Sequence, residues 1–167
     1  MTRQTRANLF FVVWLALFSA GCTNKTMENS RKQDLKKVSA LNTELGFRYM
    51  QEREYDLANK KLEKALAANP KNPEAHNAMG LLKNVLGKPK AAESAFARAI
   101  ELSDNGPAIS NNYGQFLCQQ GRYQEGIKHL SLAAMNPLNE DRSIPHLNLG
   151  KCHKELFDYK KAEFHLK

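Results

Sequence analysis

Asn111-Asn112-Tyr113-Gly114-Gln115-Phe116-Leu117-Cys118-Gln119-Gln120-Gly121-Arg122-Tyr123-Gln124-Glu125-Gly126 decides how this chain folds, because its landmarks return along the sequence at a constant interval. Gly114 is preceded by Gly80 and Gly46 at steps of 34 residues, and each glycine opens the same succession of small and apolar residues. The upstream copies read Leu45-Gly46, Tyr49, Tyr55, Ala58, Leu62, Ala65 and Pro70, then Met79-Gly80, Ala92, Phe96 and Ala99. The quoted copy continues through Leu130 and Ala133. A further copy, Leu149-Gly150, Tyr159, Ala162 and Leu166, follows 36 residues on, so two extra residues sit in the Met135 to Ile144 connection.

Self-similarity at this period is the mark of the tetratricopeptide repeat, a helix–turn–helix unit that buries its apolar face only by stacking on its neighbours. The expected fold is all-α: a right-handed superhelix of antiparallel helix pairs, an α-solenoid, over residues 38–167. The repeats run about 39–72, 73–106, 107–142 and 143–167, the last incomplete. Small residues are needed where two helices approach closely, so Gly46 and its equivalents are expected to face Ala58 and its equivalents. Leu62, Phe96, Leu130 and Leu166 supply the large partners that fill the space between pairs. The fourth copy lacks an equivalent of Ala65, Ala99 and Ala133. The pattern therefore predicts a longer parent protein, and fraying from Tyr159 onward in this chain alone.

The first forty residues have a different character. Arg3 and Arg6 precede an apolar run from Leu9 to Phe18, followed by Ser19-Ala20-Gly21-Cys22. That run is too short to span a bilayer but suits the core of a secretory signal, expected over 1–21. A cysteine directly after small residues resembles the lipobox of bacterial lipoproteins, which makes Cys22 the acylated first residue of the mature chain; Ser19 departs from the usual leucine. Thr23 after it, in place of aspartate, resembles lipoproteins sorted to the outer membrane. Residues 22–37 are polar and are read as a tether from that anchor. The net charge of +8 falls to +6 without Arg3 and Arg6. The basic residues are spread through every repeat without an aromatic stacking platform, which argues against nucleic acid as a partner.

Phosphate-binding, hydrolase, metalloprotease and dinucleotide motifs are missing from the sequence, so the chain is read as an interaction scaffold and not an enzyme, with no cofactor, metal or small-molecule substrate. Glu52 and Glu54 read as surface carboxylates. His76, His146 and His153 fall at core-type positions and are expected to be satisfied packing histidines. Cys118 and Cys152, late in the first helices of repeats three and four, suit either a disulfide or two buried thiols.

The first helix of each repeat should line a concave groove. Its first half carries Thr43 with Phe47, Met50, Leu81 and Val85, and the latter four would accept an apolar segment. Asn77, Asn84, Asn111, Gln115 and Gln119 bring amides able to pair with a partner's backbone, with Leu147 and Lys151 further along.

The quoted stretch, together with Gly80-Leu81-Leu82, Ala91-Ala92-Glu93-Ser94-Ala95-Phe96-Ala97-Arg98-Ala99 and Asn148-Leu149-Gly150-Lys151-Cys152, resembles the type IV pilus biogenesis and stability lipoproteins, the PilF/PilW pilotins. The resemblance covers nearly the whole mature chain, with Lys151 and Ser19 as departures. It implies a lipid-anchored protein on the periplasmic side of the outer membrane that binds secretin subunits and promotes their assembly into the pilus pore. The alternative is a generic periplasmic repeat lipoprotein that scaffolds envelope enzymes or outer-membrane assembly.

Overall fold

A computed structural model describes the backbone of residues 3–103, 106–139 and 141–167, and the side chains of that set from residue 27 onward. The chain divides into two units, residues 1–38 and 39–167, which are treated separately. Among the described residues eight helices follow one another: α1 (Arg3–Gln51), α2 (Tyr55–Ala68), α3 (Pro73–Val85), α4 (Pro89–Ser103), α5 (Pro107–Gln119), α6 (Tyr123–Met135), α7 (Ser143–Glu155) and α8 (Tyr159–Leu166). With no strand among the described residues, the unit 39–167 is an all-α solenoid in which α3, α5 and α7 start at Pro73, Pro107 and Ser143.

In the first unit, residues 27–38 belong to α1 and all their side chains are exposed. The described part of the expected tether is thus helical, as its Arg, Lys, Gln, Glu and Leu content favours. The expected signal segment 1–21 and the acylation site Cys22 lie outside the described side chains. Among the described residues no helix is long and apolar enough to cross a membrane.

Within the second unit, local chemistry sets where helices start and turn. Pro73, Pro89 and Pro107 each open a helix, where a missing N–H is not needed and the fixed φ is already helical. Asn72 caps α3: its side chain accepts from the backbone N–H groups of Glu74 and Ala75. Its Nδ2 donates to Ser39 Oγ at 2.8 Å, so one residue both starts repeat two and fastens it to repeat one. The turn inside each repeat passes through a left-handed residue: Arg53 (φ 61), Gly87 (φ 67), Gly121 (φ 77) and Phe157 (φ 61). Glycine takes that conformation freely, whereas arginine and phenylalanine hold it against steric strain.

The core runs along the stack. Ala58, Leu62, Ala78 and Leu82 form one cluster, Phe96, Phe116, Leu117 and Tyr113 a second, and Leu130, Ala134, Leu149 and Cys152 a third. Phe96 is wholly buried, its ring centroid 5.3 Å from that of Phe116 and 5.8 Å from that of Tyr113.

The repeat glycines sit opposite the large residues, which corrects the expectation that they face the small ones. A Cβ on Gly46 would lie 2.6 Å from Leu62, on Gly80 2.7 Å from Phe96, and on Gly150 2.6 Å from Leu166. At Gly114 the small residue is equally near, with Gly126 O and Leu130 Cγ both at 2.8 Å, and at Gly150 Ala162 O follows at 3.3 Å. The physical reason is interdigitation: the vacancy left by each missing side chain is where the long side chain of the partner helix inserts.

Candidate functional site: the inner wall of the helix stack

The first helices of successive repeats are staggered, so positions far apart in the repeat register meet. Phe47 of α1, half-buried, shares a cleft of about 510 Å³ with Pro73 and Asn77 of α3 and with Pro107, Ala108 and Ile109 of α5. Ser103 and Gly106 close one side of it. A second, smaller cleft of about 290 Å³ lies between α5 and α7, lined by Gln115, Gln119, Asn148, Lys151, Glu155 and Tyr123. Cys118 and Cys152 also border this second cleft; they are joined as a disulfide that links α5 to α7, with Cα atoms 5.7 Å apart.

Between the clefts runs a ladder of amides. Asn148 Nδ2 donates to Asn111 Oδ1 at 2.9 Å, Asn111 Nδ2 approaches Asn112 Oδ1 at 3.4 Å, and Asn112 Nδ2 donates to Asn77 Oδ1 at 3.2 Å. Three repeats are thereby linked through side chains alone. Asn77 and Asn148 are almost fully buried, so these bonds offset the penalty of removing their amides from water. A parallel rung joins Asn84 Nδ2 to Gln119 Oε1 at 2.9 Å.

The residues expected in the groove are placed differently. Phe47, Asn77 and Gln115 line the clefts, whereas Val85 is exposed and contributes to neither. Thr43 is buried at the junction of repeats one and two, donating Oγ1 to Ser39 O at 2.8 Å and receiving Asn72 Nδ2 at 3.3 Å. Met50 and Leu81 are half-buried covers on the first and second core clusters. Asn84 and Asn111 are engaged in the amide pairs described above. Of the positions further along, Lys151 borders the second cleft, and Leu147 is exposed beside α8.

Reading single repeats missed Asn112 and Asn148. Both occupy the sixth position of their repeats, and aligning Asn112 with Asn148 would have flagged them. Ala108 and Ile109 were missed because only the stagger of neighbouring repeats carries them to Phe47.

Two polar sets lie outside the groove. Arg122 holds Glu125 through Nε at 2.8 Å and Nη2 at 2.7 Å, and its Nη1 also binds Glu93 of α4. The guanidinium keeps the Glu125 carboxyl below its ordinary range. Burial, followed by the nearby Glu93 carboxylate, pushes the Tyr113 hydroxyl up.

The histidines match the expectation of satisfied packing residues only in part: His76 and His146 have hydrogen-bond partners, and His153 has none at Nδ1. His76 is only half-buried, with Nε2 2.9 Å from Pro70 O, and His153 is buried with Nδ1 unpartnered. His146 meets a histidine the sequence did not single out, His165.

A tetratricopeptide-repeat family model matches residues 43–107 and again 77–140. The type IV pilus assembly protein PilF of Pseudomonas aeruginosa is 32% identical over 147 residues, which cover 87% of this chain and 58% of that protein. An uncharacterised protein of Haemophilus influenzae is 26% identical, over 75% of this chain and 68% of its own length. Among solved structures, that of P. aeruginosa PilF superposes with a TM-score of 0.76 at 27% identity, covering 79% of this chain and 60% of the other. PilW, described as a widely conserved type IV pilus biogenesis factor, superposes at 0.74 and 29% identity, covering 77% and 59%. This chain therefore spans somewhat under two thirds of the length of the pilus proteins it matches.

Proposed function

This chain belongs to the tetratricopeptide-repeat family and is homologous to PilF, and from that premise we propose that it is an outer-membrane lipoprotein that binds secretin subunits in type IV pilus biogenesis. The observation that carries this reading is the match to PilF across 87% of the chain. Acylation at Cys22 would anchor the chain at the periplasmic face, since two or more acyl chains hold a protein on a bilayer stably where one does so only marginally.

The inner wall suits a polypeptide partner. Phe47 supplies an apolar surface in a cleft large enough for a bulky side chain. The amide of Gln115 and the ammonium of Lys151 are free to bond polar groups in the second cleft. The chaperone effect would come from differential affinity: a protein that binds unassembled subunits more tightly than assembled ones holds them until they are delivered.

Secretin multimers in the outer membrane are the test. Deletion of the gene should deplete multimers, and unchanged multimers would reject the reading. In the purified chain, Phe47→Asp should weaken secretin capture at least tenfold, the scale of a central interface residue, with the circular dichroism of the helices unchanged.

A further inference from the structure

His146, His153 and His165 form a column at the contact between α7 and α8. His146 and His153 are two turns apart on α7 and so share a face. His165 of α8 lies against both. Its Nδ1 is 3.0 Å from His146 Nδ1, and its ring is parallel to that of His153 within 5° at a centroid separation of 5.6 Å. From this geometry we propose that the column is a pH-sensitive clasp, which docks α8 on α7 when the imidazoles are neutral and releases it on acidification.

Within the described residues, the column lies in the contact that joins α8 to α7. This helix packs against α7 alone among the described elements. Ala162 is its only buried side chain, while Tyr159, Phe164 and Leu166 are half or more exposed. The same helix in repeat two buries Ala92, Phe96 and Ala99. The α7–α8 contact combines the packing of Ala162 and Leu166 with three imidazoles, and the imidazoles make it respond to charge.

Two features make that response one-directional. The Nδ1–Nδ1 bond needs one ring to donate and the other to accept, so it is lost, and replaced by repulsion, when both rings carry two protons. His153 is 5% exposed, and its Nδ1 has no hydrogen-bond partner to receive an added proton. Asp158 Oδ2 is 3.8 Å from that atom, but the same carboxylate already binds Lys161 Nζ at 2.9 Å and accepts from the Lys161 backbone N–H.

The groups facing the column are Asp158, Lys161 and Lys167, the last bordering the cleft beside His146 and His165 and paired with Glu163. α5 and α6, packed on the other side of α7, carry Tyr113, Tyr123, Glu125, Lys128 and His129, none of which acts on His153 or His165. Burial lowers the pKa of both histidines; Lys161 adds to this at His153, where Asp158 opposes it, and His146 and His153 add to it at His165.

The sign follows from linkage. A folded-state pKa below the unfolded value means that opened α8 binds more protons, so docking is favoured above the ordinary histidine pKa of about 6.5 and is lost as pH falls below it.

Hydrogen exchange on the full chain, corrected for intrinsic rates, tests the clasp through the amides of α8. Between pH 7.5 and 5.5 their opening constant should rise at least tenfold and at most about a hundredfold, the ceiling that two imidazoles of ordinary pKa can supply over that interval. Amides of α4 should change less than threefold. In His165→Gln, and separately in His146→Gln, the rise in α8 should shrink to less than a third of its value, whatever the absolute protection. A rise below threefold in the unsubstituted chain, an undiminished rise in both variants, or α8 amides unprotected already at pH 7.5 would overturn the proposal.

Discussion

Repeat two and repeat four carry the same landmarks, yet the structure holds them very differently. In repeat two the glycine at position 80 receives Phe96, wholly buried among Phe116 and Tyr113, and α4 packs against both α3 and α5. In repeat four Gly150 receives Leu166 in the same geometry, but Leu166 remains 50% exposed and α8 touches only α7. The repeat pattern therefore specifies how a hairpin closes, while burial of the second helix depends on what packs against its other side. Stability in such an array is a sum of hairpin terms and neighbour terms, so the second helix of a hairpin gains from each element packed on it.

The largest expected difference is in the pair Phe96→Ala and Leu166→Ala. Removing the buried ring should destabilise the chain by about 3–5 kcal/mol, whereas shortening the half-exposed leucine should cost under about 1.5 kcal/mol. Urea denaturation followed by circular dichroism would measure both. Equal losses would mean that repeat four is as well packed as repeat two.

Next in size is the disulfide, which ties repeat four to repeat three across a sequence separation of 34 residues. Cys118→Ser with Cys152→Ser should lower stability by about 4 kcal/mol on the chain-entropy account. Hydrogen exchange should show that loss concentrated in α7 and α8 and not in α3 and α4. A loss spread evenly would show that the repeats unfold as one unit.

The smallest effect is at the turns. Repeat two passes through Gly87 and repeat four through Phe157, both at positive φ, and Phe157 is 77% exposed. Phe157→Gly should stabilise repeat four by roughly 0.5 kcal/mol, because the strain relieved exceeds the added freedom of the unfolded chain. Thermal unfolding should shift upward, and a downward shift would show that the ring makes contacts that outweigh the strain.

Much of this architecture is legible in one dimension. The spacing of Gly46, Gly80, Gly114 and Gly150 places four hairpins, and Pro73 and Pro107 mark two helix starts to the residue. Leu62, Phe96 and Leu130 were readable as the large core partners because each recurs at a constant distance from its glycine. The facing of glycine and alanine was misread, since spacing along the chain does not say which of two nearby residues points into a vacancy. Thr43 and Leu81 were read as groove residues because they fall at the right repeat positions. In the structure one is consumed by its own helix backbone and Asn72, and the other covers a neighbouring core.

The sequence by itself determined the repeat period, the helix pairs and the positions that must be small or large, because those follow from contacts within about 34 residues that every copy repeats. Only the tertiary structure decided that Phe47 and Ile109 line one cleft, that Asn148, Asn111, Asn112 and Asn77 join in one ladder, and that His165 lies against His146 and His153. The first two depend on the stagger between successive helix pairs and the third on how α8 lies on α7. Such angles arise from packing side chains of unequal size, and the repeat period does not carry them.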